Sequence, residues 1–182
     1  MGANKAFLDF AGQTLLDRAL GALGAACGNI TIVGDPVTFA NYAPVVSDIF
    51  PGCGPLGGIH SALASSSAEL NVMLAVDMPF VSHDLLEFLL RAAEDTDAMV
   101  TVPKTSRGFQ PLCAVYRRAF LSTAERALKA GKYKIDAAFA GLSVRVLEEA
   151  ELAAAGFSER CFFNVNTPED CRTALETDGL SF

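Results

Sequence analysis

Histidine is nearly absent from this chain. The two that occur, His60 and His83, lie far apart, and neither has a partner at metal-ligand spacing. The five cysteines, Cys27, Cys53, Cys113, Cys161 and Cys171, are odd in number and form no C-x-x-C pair. That pattern argues against a disulfide scaffold and against a zinc site, and fits a reduced, cytoplasmic protein. No apolar run approaches the roughly 20 residues that a membrane helix needs, and the first residues lack the apolar stretch of a signal peptide. Basic residues are in the minority. With 14 Lys and Arg against 21 Asp and Glu the net charge is −7, which argues against non-specific binding to nucleic acid or to an anionic membrane. A phosphate substrate remains compatible, because backbone amides, a metal ion and one or two local cations suffice to hold it. Charge is also scarce at 19% against 51% hydrophobic residues, which excludes a disordered chain. There are no repeats, low-complexity tracts or linkers, and 182 residues suit one domain spanning the whole chain.

What the chain does have is organised around Leu70–Phe80, L-N-V-M-L-A-V-D-M-P-F. Val72–Val76 is apolar without polar alternation, as a parallel strand covered by helices on both faces requires. Asp77 and Pro79 then stop the ladder. Ligands of open α/β sheets bind at the carboxyl ends of the strands, where an Asp can hold a hard cation such as Mg²⁺ beside phosphates. The alternative is that Asp77 only caps the following helix. Around it, helices are predicted at Gln13–Ala26, Ile59–Ser65, Ser82–Ala93, Ala119–Lys129, Ile135–Phe139, Ala150–Ala155 and Thr167–Leu175. Strands are predicted at Asn29–Val33, Ala43–Val46, Ala98–Val102, Pro111–Tyr116, Leu142–Leu147 and Cys161–Val165. This alternation predicts a mostly parallel sheet with right-handed crossovers.

Four features fall in loops where chemistry could sit. Lys5, close to Gly2, could neutralise a phosphate or be an ordinary surface lysine. Asp48 precedes the densest loop signal, P-G-C-G-P-L-G-G, whose glycines permit either close approach to a ligand or a tight strand-to-helix connection. Asp77 is the third. The last is F-F-N-V-N-T-P-E-D, in which Asn164 and Asn166, two apart on the predicted strand, point the same way and could hydrogen-bond a polar ring, or cap the last helix.

Five segments then stand in a familiar order: M-G-A-N-K-A, D-I-F-P-G-C-G-P-L-G-G-I, L-A-V-D-M-P-F-V, Q-P-L-C-A-V-Y and N-V-N-T-P-E-D. Together they resemble the molybdenum cofactor guanylyltransferase (MobA) family, from residue 1 to about residue 176. The resemblance implies a three-layer, Rossmann-like α/β nucleotidyltransferase fold with a mostly parallel central sheet. It implies transfer of GMP from GTP to molybdopterin with release of pyrophosphate and use of Mg²⁺, and delivery and acceptor proteins for the cofactor. Carried onto this sequence, Lys5, with Gly2 nearby, contacts the triphosphate, and Asp77 binds Mg²⁺ and the triphosphate. Asp48 and the loop Gly54, Pro55, Leu56 and Gly57 contact the nucleoside. Gly34 and Asp35 stand where the family often places an Asn near the nucleotide. Gln110, Asn164 and Asn166 lie toward the pterin.

One departure accompanies the match. The family opens with an apolar strand and an L-A-G-G-x-S-x-R loop before M-G-x-x-K-A, and here Met1 falls on that motif's methionine. The expectation is that the first strand of the sheet is missing, and that an upstream segment belongs to the natural protein. Two other readings compete. One is a related nucleotidyltransferase such as a molybdopterin cytidylyltransferase. The other is a non-catalytic nucleotide-binding module that has lost its triphosphate loop.

Overall fold

The computed structural model describes residues 4–176; Gly2 therefore lies outside the described residues. A single 3-10 turn, Lys5–Phe7, is capped by Asn4, whose side chain accepts from the Ala6 amide. A tight hairpin of β1 (Asp9–Phe10) and β2 (Gln13–Thr14) follows, its turn made by Ala11 and Gly12, both at positive φ. Thr14 then caps α1 (Leu15–Ala26) by accepting from the Asp17 amide, as the acidic first turn predicts. β3 (Ile32–Val33), the short α2 (Pro36–Phe39) and β4 (Val45–Val46) form a small unit in which β3 and β4 pair in parallel.

The central part alternates as the sequence predicts. α3 (Pro55–Ser65), β5 (Leu70–Leu74), α4 (His83–Glu94), β6 (Val100–Thr105), β7 (Gly108–Phe109), β8 (Cys113–Arg117), α5 (Phe120–Lys129), α6 (Ile135–Ala138), β9 (Val144–Leu147) and α7 (Glu149–Ala154) follow in order. The main sheet runs β5-β8-β6, with β9 parallel on the other side of β6 and β7 pairing its far end.

The sheet is mixed rather than mostly parallel. β8 pairs antiparallel with both β5 and β6. The reason is local: β6 turns through the β7 hairpin and comes straight back as β8, and a short connection can only return a strand antiparallel. The layering is nonetheless the one predicted. Ala114 and Tyr116 pack with Val100 and Val102 against α3, α5 and α6, while Cys113 and Val115 pack with Leu147 against α4 and α7. Successive residues of β8 thus serve opposite faces, each covered by helices.

The predicted strand at Cys161–Val165 is absent. Glu159–Phe162 forms a 3-10 turn, and α8 (Pro168–Glu176) begins soon after. The apolar run there has a different cause. Phe162 packs against the α4 side of the sheet, and Val165 is buried beneath α8 with Phe10 and Leu15. One chain segment fills two clusters, so its apolar residues need no ladder.

Candidate functional site

Three stretches far apart in sequence meet beyond the end of β5. Leu74 ends the strand, and Asp77 lies in the turn that follows. Asp77 does not cap α4, because Ser82 does so by accepting from the Leu85 amide. The Asp77 side chain is 13% exposed, and its Oδ2 accepts from Lys5 Nζ at 2.6 Å. Lys5 Nζ also lies 3.4 Å from Asn166 Oδ1. The main chain ties the same parts together, since the Val165 amide donates to the Asp77 carbonyl at 2.8 Å. Arg160 braces the junction, stacking 4.4 Å over the Phe80 ring and donating to the Ala174 carbonyl. Lys5, Asp77 and Asn166 are therefore brought together as one cation, one anion and one amide.

Asn166 is itself held. Its amide and that of Thr167 both donate to Asp170 Oδ2 at 2.9 Å, and the Asp170 amide donates back to Thr167 Oγ1. This reciprocal cap fixes the entry to α8. The two amide bonds and the Thr167 hydroxyl hold the Asp170 carboxyl below its usual range. Asn164 is exposed two residues earlier, and without the predicted strand its alignment with Asn166 is no longer a matter of strand period.

The Asp48 loop forms a second unit. Asp48 Oδ1 accepts from the Phe50 amide at 3.2 Å and lies 3.1 Å from the buried Ser61 hydroxyl. Ser61 Oγ accepts from the Ile49 amide at 2.9 Å and also lies 3.0 Å from the Gly57 carbonyl. Gly54, with φ 67° and ψ −160°, turns the chain into α3, and Pro55 occupies the first helical position. Gly57 is required by contact: a Cβ there would stand 3.0 Å from the Phe50 carbonyl oxygen and 3.2 Å from Asp48 Oδ1. The Leu56 side chain is fully buried in the core, so only its main chain is available to a ligand.

Gly34 sits against the Phe39 ring, and Asp35 caps α2 by accepting from the Val37 and Thr38 amides and the Thr38 hydroxyl. The Thr38 hydroxyl, then the Val37 amide, hold the Asp35 carboxyl below its usual range. Both Asp35 oxygens thus already serve the helix. Gln110 is buried in the β6–β7 hairpin, where its amide nitrogen donates to Thr105 Oγ1 and the Gly108 carbonyl. It lines a cavity of about 230 Å³ together with Arg107, Arg160 and Phe163.

Sequence reasoning missed Ser61 and Asp170, which position Asp48 and Asn166. The signal for Asp170 was present in T-P-E-D, a cap followed three residues later by a carboxylate. Ser61 had a fainter one, a small polar residue four after Gly57 on an otherwise apolar helix face.

A divalent metal fits this site. Asp77 Oδ1 is buried and has no hydrogen-bond partner among the described residues, a costly state for a carboxylate oxygen unless a cation claims it. Among the described residues no cluster of three or more His, Cys, Asp and Glu could hold a metal. A lone carboxylate oxygen of this kind suits a hard divalent cation that takes the rest of its oxygen ligands from elsewhere. No helix of the described residues is long and apolar enough to cross a membrane.

Residues 1–146 match the family model described as a MobA-like NTP transferase domain. A molybdenum cofactor guanylyltransferase of Desulfosudis oleivorans is 34% identical over 175 residues, covering 95% of this chain and 86% of that protein. The crystal structure of the molybdopterin-guanine dinucleotide biosynthesis protein A from Archaeoglobus fulgidus superposes with a TM-score of 0.84 at 28% identity, covering 98% of this chain and 92% of that one. The fold extends further, to the 2-C-methyl-D-erythritol 4-phosphate cytidylyltransferase of Thermus thermophilus, with a TM-score of 0.72 at 20% identity over 96% of this chain and 94% of that one.

Proposed function

The chain belongs to the MobA-like NTP transferase family, and on that premise we propose that it transfers GMP from GTP to molybdopterin, releasing pyrophosphate, with Mg²⁺ as the ion at Asp77. In that reaction an oxygen of the molybdopterin phosphate attacks the α-phosphorus of GTP, and the bond to the β-phosphate breaks. Two anions must be joined by a protein of net charge −7. The observation that carries the reading is the meeting of Lys5, Asp77 and Asn166 within hydrogen-bonding reach at the end of β5.

Each group has a task suited to its chemistry. When bound, Mg²⁺ offsets charge on the triphosphate. Lys5 supplies a second, mobile positive charge to the phosphates. Asp48 and the main chain at the start of α3 face the nucleoside, with the Ser61 contacts keeping the carboxylate in place. Asn166, and beyond it Asn164 and Gln110, form the acceptor's side. No protein nucleophile is needed, because positioning and charge compensation carry a direct transfer. Passage of the cofactor to and from delivery and acceptor proteins belongs to the same reading. A cytoplasmic setting goes with it, where five free thiols stay reduced.

The test is pyrophosphate release from GTP or CTP with molybdopterin, in Mg²⁺ and in EDTA. GTP should be used in preference to CTP and only with the metal, and Asp77→Ala should abolish turnover. Preference for CTP would overturn the choice of base, and normal turnover by Asp77→Ala would overturn the metal assignment.

A further inference from the structure

The two oxygens of Asp77 are in opposite circumstances. Oδ2 is held by the Lys5 ammonium at 2.6 Å, and Oδ1 is buried with no partner among the described residues. A divalent ion approaching this carboxylate meets a charge that is already compensated, with the like charge of the ammonium on the neighbouring oxygen. The ammonium is free to leave, since the Lys5 side chain is 46% exposed. Its other contact, to Asn166 at 3.4 Å, is a long and therefore weak hydrogen bond.

We infer that Lys5 is an exchangeable counterion. In the free protein its ammonium stands in for the metal at Asp77, and it passes to the triphosphate when ion and nucleotide arrive together, so the ion alone binds poorly. The inference rests on Asp77 being the metal-binding residue. Its consequence is a coupling. Lys5 opposes binding of the bare ion and favours binding of the ion–nucleotide complex, and its aid to the nucleotide appears only when a metal has displaced it from Asp77.

Titration of the full chain with Mn²⁺, followed by electron paramagnetic resonance without nucleotide, tests the first half. Lys5→Met and Lys5→Gln should each bind Mn²⁺ about fivefold or more tightly than the parent, because the competing ion pair and the like charge are both gone. Asp77→Asn is the control and should lose Mn²⁺ binding. GTP titrations test the second half: the Lys5 variants should bind about tenfold more weakly in Mg²⁺ and within about twofold of the parent in EDTA. Thermal melts identify any variant that fails to fold, and the paired substitutions at Lys5 guard against such a loss.

Unchanged or weaker Mn²⁺ binding by the Lys5 variants, with binding still lost in Asp77→Asn, would overturn the exchange and leave the metal assignment standing. An equal loss of GTP affinity with and without metal would overturn the coupling. Mn²⁺ binding by Asp77→Asn at the parent's affinity would remove the metal assignment and the inference with it.

Discussion

Ser61→Ala tests whether the Asp48 loop is held from beneath. The Ser61 hydroxyl is buried and serves three neighbours: it accepts from the Ile49 amide at 2.9 Å, and its one proton is shared between Asp48 Oδ1 at 3.1 Å and the Gly57 carbonyl at 3.0 Å. Alanine fits the space but strands the Ile49 amide and takes a donor from a carboxylate. A buried donor left without a partner costs about 1–3 kcal/mol. The Ile49 amide is only partly buried, and Asp48 keeps the Phe50 amide, so the lower part of that range applies, about 1–2 kcal/mol. For a chain of this size the melting temperature should fall by about 2–8 °C. GTP affinity should fall as well, since Asp48 loses its support. Thermal melts followed by circular dichroism and GTP titrations measure both effects. Ser65→Ala is the control, because among the described residues that exposed hydroxyl bonds only the Ala62 carbonyl one turn back, and it should leave both readings unchanged. A Ser61→Ala melt that overlays the parent's, with GTP affinity intact, would refute the reasoning.

Two further outcomes concern the start of α3 and the cap of α8. Gly57→Ala and Gly58→Ala are adjacent on one helix yet should move the urea midpoint in opposite directions. A Cβ at Gly57 meets the Phe50 carbonyl at 3.0 Å, whereas Gly58 has nothing within 4 Å and should gain about 0.5–1 kcal/mol from alanine's lower conformational freedom. Stabilisation by both would show that the loop yields easily. Asp170 sets an acid limit: its folded pKa lies below the ordinary 3.8, chiefly through the Asn166 amide bond. Its contribution is therefore present above 3.8 and lost as pH falls through that value toward the folded one. Stability measured across that window should drop less steeply in Asp170→Asn than in the parent, and parallel slopes would dismiss the linkage.

Much of the architecture could be read before folding was considered. Thr14 and Ser82 announced their helices because a hydroxyl before an apolar stripe has a local use for its oxygen. Asp77 could be placed beyond a strand end because it breaks an apolar run and Pro79 stops the ladder two residues later. The direction of β8 was hidden, since a glycine-bearing turn at Gly108 decides whether the chain crosses over or returns, and apolar runs look alike in either case. The run after Ser158 misled because burial alone was visible, not that Phe162 and Val165 enter different clusters. In the site, Lys5 and Asp77 were nameable as residue types. Their contact, and the place of Asn166 beside them, depended on a tertiary closure that no local pattern encodes. Asp35 shows the converse: its fit to a ligand position hid an ordinary cap.

The junction of Lys5 with Asn166 spans 161 positions of sequence. Contacts of such separation form late, because the entropy of closing the chain must be met before they add anything. A ribosome-bound chain can complete β5 and its turn while the segment that docks on the Asp77 carbonyl has yet to be made. The junction thus cannot close before Val165 and Asn166 have been made: until then a growing chain holds Asp77 without the amide that docks on its carbonyl.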